Sequence, residues 1–158
     1  MKTAYYVAGI VNVYRRALDI LQNQGEAAYY EALPLLVCDV KKVSHRKSNT
    51  GFFFGRPTPE AGADGYEQDM EYVADITRGS AAGGKTLITL KNRFYQGDTL
   101  ELLSPEGSRP FICQALENSE TGEMMETASI AGTMIYLKIP YETHAGDMLR
   151  GPNRNHRE

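Results

Sequence analysis

The chain has no tryptophan and only two cysteines, Cys38 and Cys113, in 158 residues. Two such distant cysteines make no disulfide framework. With no CxxC pair, nothing suggests a zinc or iron–sulfur site in this chain. Reduced thiols, a cytoplasmic location and no bound cofactor are therefore expected. The three histidines, His45, His144 and His156, lie in loop-like or terminal settings with no evident nucleophile and acid partner, so no catalytic residue is assigned. Long apolar runs are also missing. None approaches the roughly 20 residues of a membrane span. Asn12, Arg15 and Arg16 interrupt the first apolar stretch, so neither a signal peptide nor a membrane partner is expected.

The composition that remains is ordinary for a globular protein, 42% hydrophobic and 23% charged. Its length allows one or two small units. The net charge of −3 is unevenly spread. Residues 1–56 hold eight Lys/Arg against four Asp/Glu, a balance of +4, and the remainder stands at −7. A nucleic-acid face should be basic, so the first third is the better candidate for one.

The chain opens on AYYVAGIVNVYRRALDILQNQG, in which Val7, Val11, Tyr14, Leu18 and Leu21 form one apolar stripe at helical spacing. Asn12, Arg15, Arg16 and Asp19 fill the other face, and Gly25 is placed to end the helix. A second helix is predicted over Pro34–Val43, because proline suits a first turn. Residues rich in Pro, Gly and Ala follow and predict a linker over 57–68. Beyond them MEYVADITR, TLITLKNRF, TLELLSP, RPFICQALE and GTMIYLKIP alternate with period two, separated by glycine-containing breakers. The predicted fold is mainly β, a small antiparallel β-barrel preceded by two α-helices. Residues 1–56 form the helical segment and residues 69–158 the barrel, with about six strands of typical length.

Several motifs offer chemistry, each with a plainer reading beside it. Gly79–Thr86, GSAAGGKT, fits the phosphate-loop pattern letter for letter, but a strand-like run follows where that chemistry needs a helix, so a hairpin loop is preferred. Lys41, Lys42, His45, Arg46 and Lys47 could contact RNA phosphates, or simply satisfy a helix C-terminus. Phe52, Phe53 and Phe54 could stack on bases, but a plug sealing helices to barrel is favoured, since cores claim most large aromatics. Lys91 and Arg93 could touch a phosphate, against the plainer reading of a solvated strand end. Carboxylate pairs such as Glu67/Asp69 and Glu123/Glu126 read as solvated loop charge, and no metal ligand is assigned.

MKTAYYVAGIVNVYRRALD, VSHRKSNTGFFFG and LKNRFYQGDTLELLSPEG occur in this order and together resemble the C-terminal region of the U32 peptidase family. The resemblance covers most of the chain and is weakest in the loops near 56–68 and 79–85. The first run resembles the segment that closes the family's catalytic barrel, so Met1 is expected to be an internal methionine of a longer protein. The resemblance implies a parent of protease or collagenase kind, or one needed for hydroxylation of tRNA or rRNA or for anaerobic hydroxylation in quinone synthesis. It also implies a small C-terminal β-barrel like those of translation factors, and iron–sulfur cysteines upstream that neither Cys38 nor Cys113 matches. The expected role is a noncatalytic accessory domain that docks on the missing catalytic barrel and positions an RNA or protein substrate. The alternatives are a structural or oligomerisation module, with the Val7–Leu21 stripe in an interface or a homodimer, and a peptidase active alone.

Overall fold

The computed structural model describes residues 2–46, 52–55 and 67–154. Helix α1 spans Ala4–Gln24, and the Thr3 hydroxyl caps it by accepting from Tyr6 N at 3.2 Å. Gly25, at φ 88°, ends α1 and at once starts α2, Glu26–Lys41. The second helix thus begins eight residues before the expected Pro34, which lies inside it. Glu26, Ala27, Ala28, Glu31 and Ala32 are strong helix formers, and their propensity carries the helix up to and through a proline that stays on the exposed side.

The face of α1 that packs on the rest of the molecule is not the apolar stripe. Tyr5, Gly9, Asn12 and Val13 are buried, whereas Val7, Val11, Tyr14, Leu18 and Leu21 are exposed. The stripe therefore does not lie against this chain's own strands. Close approach and polar bonding decide the matter. A side chain at Gly9 would meet Val43 Cγ1 at 2.6 Å, and Asn12 Nδ2 donates to Ser104 O at 2.6 Å. Tyr5 stacks on Tyr72 with ring centroids 5.0 Å apart, an arrangement that contributes about 1 kcal/mol beyond burial.

Residues 70–152 form strands β1 (Met70–Arg78), β2 (Lys85–Leu90), β3 (Phe94–Tyr95), β4 (Thr99–Ser104), β5 (Gly107–Ile112), β6 (Leu116–Asn118), β7 (Met124–Met125), β8 (Thr127–Ala128), β9 (Met134–Lys138) and β10 (Met148–Pro152). Eight join one antiparallel sheet in the order β5-β4-β10-β1-β2-β9-β6-β7, and β3 pairs with β8 separately. The expected antiparallel barrel is not confirmed: among the described residues, β5 and β7 end the sheet without pairing to each other. A single buried cluster nevertheless draws on nearly every strand, including Ile76, Ile88, Phe94, Leu102, Phe111, Leu116, Leu137 and Leu149. The strands are shorter and more numerous than predicted, because Cys113–Ala115 breaks the expected RPFICQALE strand into β5 and β6. A bulge in β1 between Tyr72 and Ala74 buries both Val73 and Ala74, which interrupts the period-two pattern.

Two turns are built alike. At Gly97-Asp98 and Gly146-Asp147 the glycine has φ 88° and 96°, and the aspartate carboxylate accepts from the backbone N–H three residues earlier, Tyr95 at 2.9 Å and His144 at 2.8 Å. Each turn launches a strand, β4 and β10, and these two pair with one another.

Candidate functional site

A charged knot joins the helices to the sheet. Arg150 on β10 is 1% exposed and donates through Nε to Glu101 Oε2 at 2.9 Å. The Glu101 carboxylate also accepts from Lys42 Nζ at 2.9 and 3.0 Å and from Ser108 Oγ at 2.6 Å. Asp39 on α2 accepts from Arg16 at 2.6 Å and lies 2.8 Å from Lys42 Nζ. Burial raises both carboxyl pKa values, but the hydrogen bonds outweigh it: those from Lys42 and Arg16 leave Asp39 below its ordinary value, and those from Lys42 and Ser108, with the Arg150 charge, do the same for Glu101.

This knot removes Lys42 from the expected RNA-contacting cluster, because its ammonium is already shared between two carboxylates. Lys41 is exposed at the end of α2, and Arg46 is exposed three residues beyond the buried Val43. The His45 ring lies 2.9 Å from Val43 O and 3.8 Å from the Glu67 carboxylate, and its backbone bridges that of Glu67. Lys47, His156 and residues 57–66 of the expected linker lie outside the described residues. The plug reading of Phe52, Phe53 and Phe54 is overturned: the three are 78%, 84% and 82% exposed. They sit on the excursion between the bridged His45 and Glu67, while residues from the strands fill the core without them.

The phosphate-loop lookalike is the β1–β2 hairpin. Lys85 starts a strand and pairs with Glu117 at 2.5 Å. The Thr86 hydroxyl, which that chemistry would need at a metal, is fully buried and bonds Ser80 Oγ at 2.7 Å and Thr143 Oγ1 at 3.1 Å. Gly79 is required for another reason: a Cβ there would lie 1.9 Å from Thr143 O. The two cysteines do not form a ligand set. Cys38 is exposed on α2, while Cys113 is buried in the core, where burial and the Asp98 charge push its thiol up to about 12.

The structure does bring Lys91 and Arg93 together, at a polar cleft of about 610 Å³ whose walls include Glu71, Asn92, Tyr95 and Arg154. Lys91 reaches Asp75 at 3.1 Å. Arg93 is exposed and, among the described residues, has no ion-pair or hydrogen-bond partner. The Arg154 guanidinium lies over the Tyr95 ring, 4.5 Å from its centroid, and pairs with Asp98. Sequence reasoning missed Tyr95 and Arg154. Sixty residues separate Arg154 from Lys91 and Arg93, and only the basic tail RGPNRNHRE hinted at it.

A more apolar groove of about 510 Å³ runs between α1 and the Gly146-Asp147 turn, bordered by Val11, Asn12, Leu103 and Met148. No helix among the described residues is long and apolar enough to cross a membrane.

Comparison with known proteins places these features in context. Residues 68–150 match the peptidase family U32 C-terminal domain, and residues 1–63 match peptidase family U32. The chain is 29% identical over 147 residues to tRNA hydroxylation protein P of Escherichia coli, covering 89% of this chain and 30% of that protein. It is 24% identical over 162 residues to tRNA hydroxylation protein P1 of Bacillus subtilis, covering 95% and 36%. The chain thus spans about a third of the length of these curated relatives. The crystal structure of the C-terminal domain of a U32-family protein from Geobacillus thermoleovorans is 19% identical with a TM-score of 0.49, covering 52% of this chain and 93% of that one. With more than half of its residues matched by that family's C-terminal domain, the chain belongs to peptidase family U32.

Proposed function

We propose that this chain is the noncatalytic accessory region of a U32-family protein and that it helps position RNA for modification by the rest of the parent. The observation that carries this reading is the polar cleft lined by Lys91, Arg93 and Arg154, with Arg93 unpaired among the described residues, in a chain whose relatives are tRNA hydroxylation proteins. It gathers three cations in a part of the chain, residues 57–158, that carries −7 overall. Binding should be electrostatic, so affinity for tRNA should fall steeply with salt, with a log–log slope set by the number of phosphates neutralised. Fluorescence anisotropy with labelled tRNA, from low salt to about 0.2 M KCl, tests this. No binding at the lowest salt, by a chain of normal circular dichroism, overturns it.

A second reading, docking of the helical segment on the parent's catalytic region or on another copy, is favoured by the uncovered stripe of Val7, Val11, Tyr14, Leu18 and Leu21. Under that reading the chain's mass in light scattering, alone or with the rest of the parent, should change when Val11 and Leu18 both become Asp. An unchanged mass in both mixtures counts against it.

A further inference from the structure

We infer that the Lys91/Arg93/Arg154 cleft is a subsite for one unpaired RNA nucleotide, with Lys91 and Arg93 taking the phosphodiester and the Tyr95–Arg154 pair taking the base. This deepens, and rests on, the reading that the chain contacts RNA. Three features of the cleft carry it. First, its cations stand on a rigid ledge: Lys91 N and Asn92 N both donate to Val73 O, at 2.8 and 3.2 Å, and Asn92 Nδ2 donates to Tyr72 O at 2.7 Å. The connection that presents Arg93 is thereby fastened to β1 at three points. Second, a donor is left over. Lys91 and Arg154 are each shared with one aspartate, but Arg93 is unpaired among the described residues, and Arg154 Nε is shielded with no hydrogen-bond partner. A phosphodiester offers the acceptor that the exposed Arg93 guanidinium lacks. Third, the floor is a ring carrying a guanidinium plane, and Tyr95 is held in place by its strand partner Thr127 and by the bond from its N–H to Asp98 Oδ2. Tyrosine rings and arginine planes are the surfaces on which unstacked bases settle, whereas a base inside a duplex offers its face to neither. The cleft is therefore suited to a loop nucleotide, not to a paired stem.

The test uses the whole chain, a short unstructured RNA, its hairpin counterpart with every base paired, and intact tRNA, all read by anisotropy. Arg93→Ala and Lys91→Ala should each lower the salt slope by about 0.7, which at about 0.1 M salt is roughly a fivefold loss of affinity. Tyr95→Ala should weaken binding of the unstructured RNA by about tenfold or more and Tyr95→Phe should not; circular dichroism checks that the variants fold. Lys138→Ala, exposed on β9 opposite Lys85 and so at the other end of β2 from Lys91, should leave the affinity within twofold. If the chain binds tRNA but Arg93→Ala and Lys91→Ala bind as tightly as the parent sequence, the cleft assignment is overturned while the RNA reading stands. Equal binding of the paired hairpin and the unstructured RNA overturns the unpaired-base assignment. If no RNA binds at any salt, the RNA reading falls and the assignment with it.

Discussion

The helical segment and the sheet solve the problem of apolar surface in opposite ways. In the sheet, Ala74, Ile88, Leu90, Leu100, Leu102, Leu116, Ile135 and Leu149 are all at 0% exposure, so the strands hide their own hydrophobic side chains from water. On the helices, Val11 is 59% exposed, Tyr14 66% and Leu35 70%. The helices are nevertheless attached to the sheet, by a small apolar cluster of Tyr5, Val43 and Leu103 and by polar bonds: the Asn12–Ser104 hydrogen bond and the Lys42–Glu101–Arg150 knot. The lesson is that attachment and burial can be divided between two faces of one helix. The face that meets the sheet is mixed, carrying Tyr5, Gly9 and Asn12, and the more apolar stripe remains available to another surface.

That contrast can be broken in order of effect. Ile88→Ala, inside the sheet core, should cost about 3 kcal/mol of stability, read as a shift of the urea midpoint, because neighbouring strands cannot collapse into the cavity. A loss under about 1 kcal/mol would mean that the core is looser than its exposures indicate. Arg150→Leu should come next, at about 2–3 kcal/mol. This lies below the usual cost of orphaning a buried charge, because Lys42 still serves Glu101, and Arg16 and Lys42 still serve Asp39.

A smaller and more selective effect should appear with acid. Asp39 and Glu101 both titrate below their ordinary values of 3.8 and 4.5 in the folded chain. Their contribution to stability is therefore present at neutral pH and is lost as pH falls below those ordinary values, through the lowered folded ones. Urea midpoints measured across this range should drop in the parent sequence and drop less in Lys42→Met, which removes the shared donor. An identical acid profile in the two proteins would assign the acid sensitivity elsewhere. Smallest of all, Leu18→Asp should change the stability of the isolated chain by no more than about 0.5 kcal/mol, since that side chain is half exposed. A large loss would show that the stripe is covered in solution by a second copy.

The β region was readable where side chains alternate: MEYVADITR is β1 residue for residue, and the glycine-rich breaker after it is the turn into β2. The same alternation failed at Val73, where a bulge turns two successive residues inward. It also could not say whether the sheet closes, because edge pairing depends on contacts between residues distant in the chain. Pro34 misled for a local reason: a proline is compatible with a helix start, but nothing in its neighbourhood ended the preceding helical run. Phe52–Phe54 misled because hydrophobicity indicates a preference for burial without supplying a place for it. Lys42 could be recognised as a cation near a helix end, yet its partner Glu101 lies 59 residues away. The cleft was half legible, since Lys91 and Arg93 stand together in sequence whereas Arg154 does not.

The sequence by itself determined the local pattern: a capped helix before Gly25, period-two strands after residue 69, two Gly-Asp turns that demand a positive φ, and membership in a family through three ordered runs. These follow from backbone preference and side-chain spacing, which act within a few residues. Tertiary structure alone decided which face of α1 is bonded to the sheet, which cations are used up in the knot and which remain to line a cleft. Those outcomes depend on Gly9 meeting Val43, Lys42 meeting Glu101 and Tyr95 meeting Arg154. Close packing and charge pairing across such separations are settled only when the whole chain has folded.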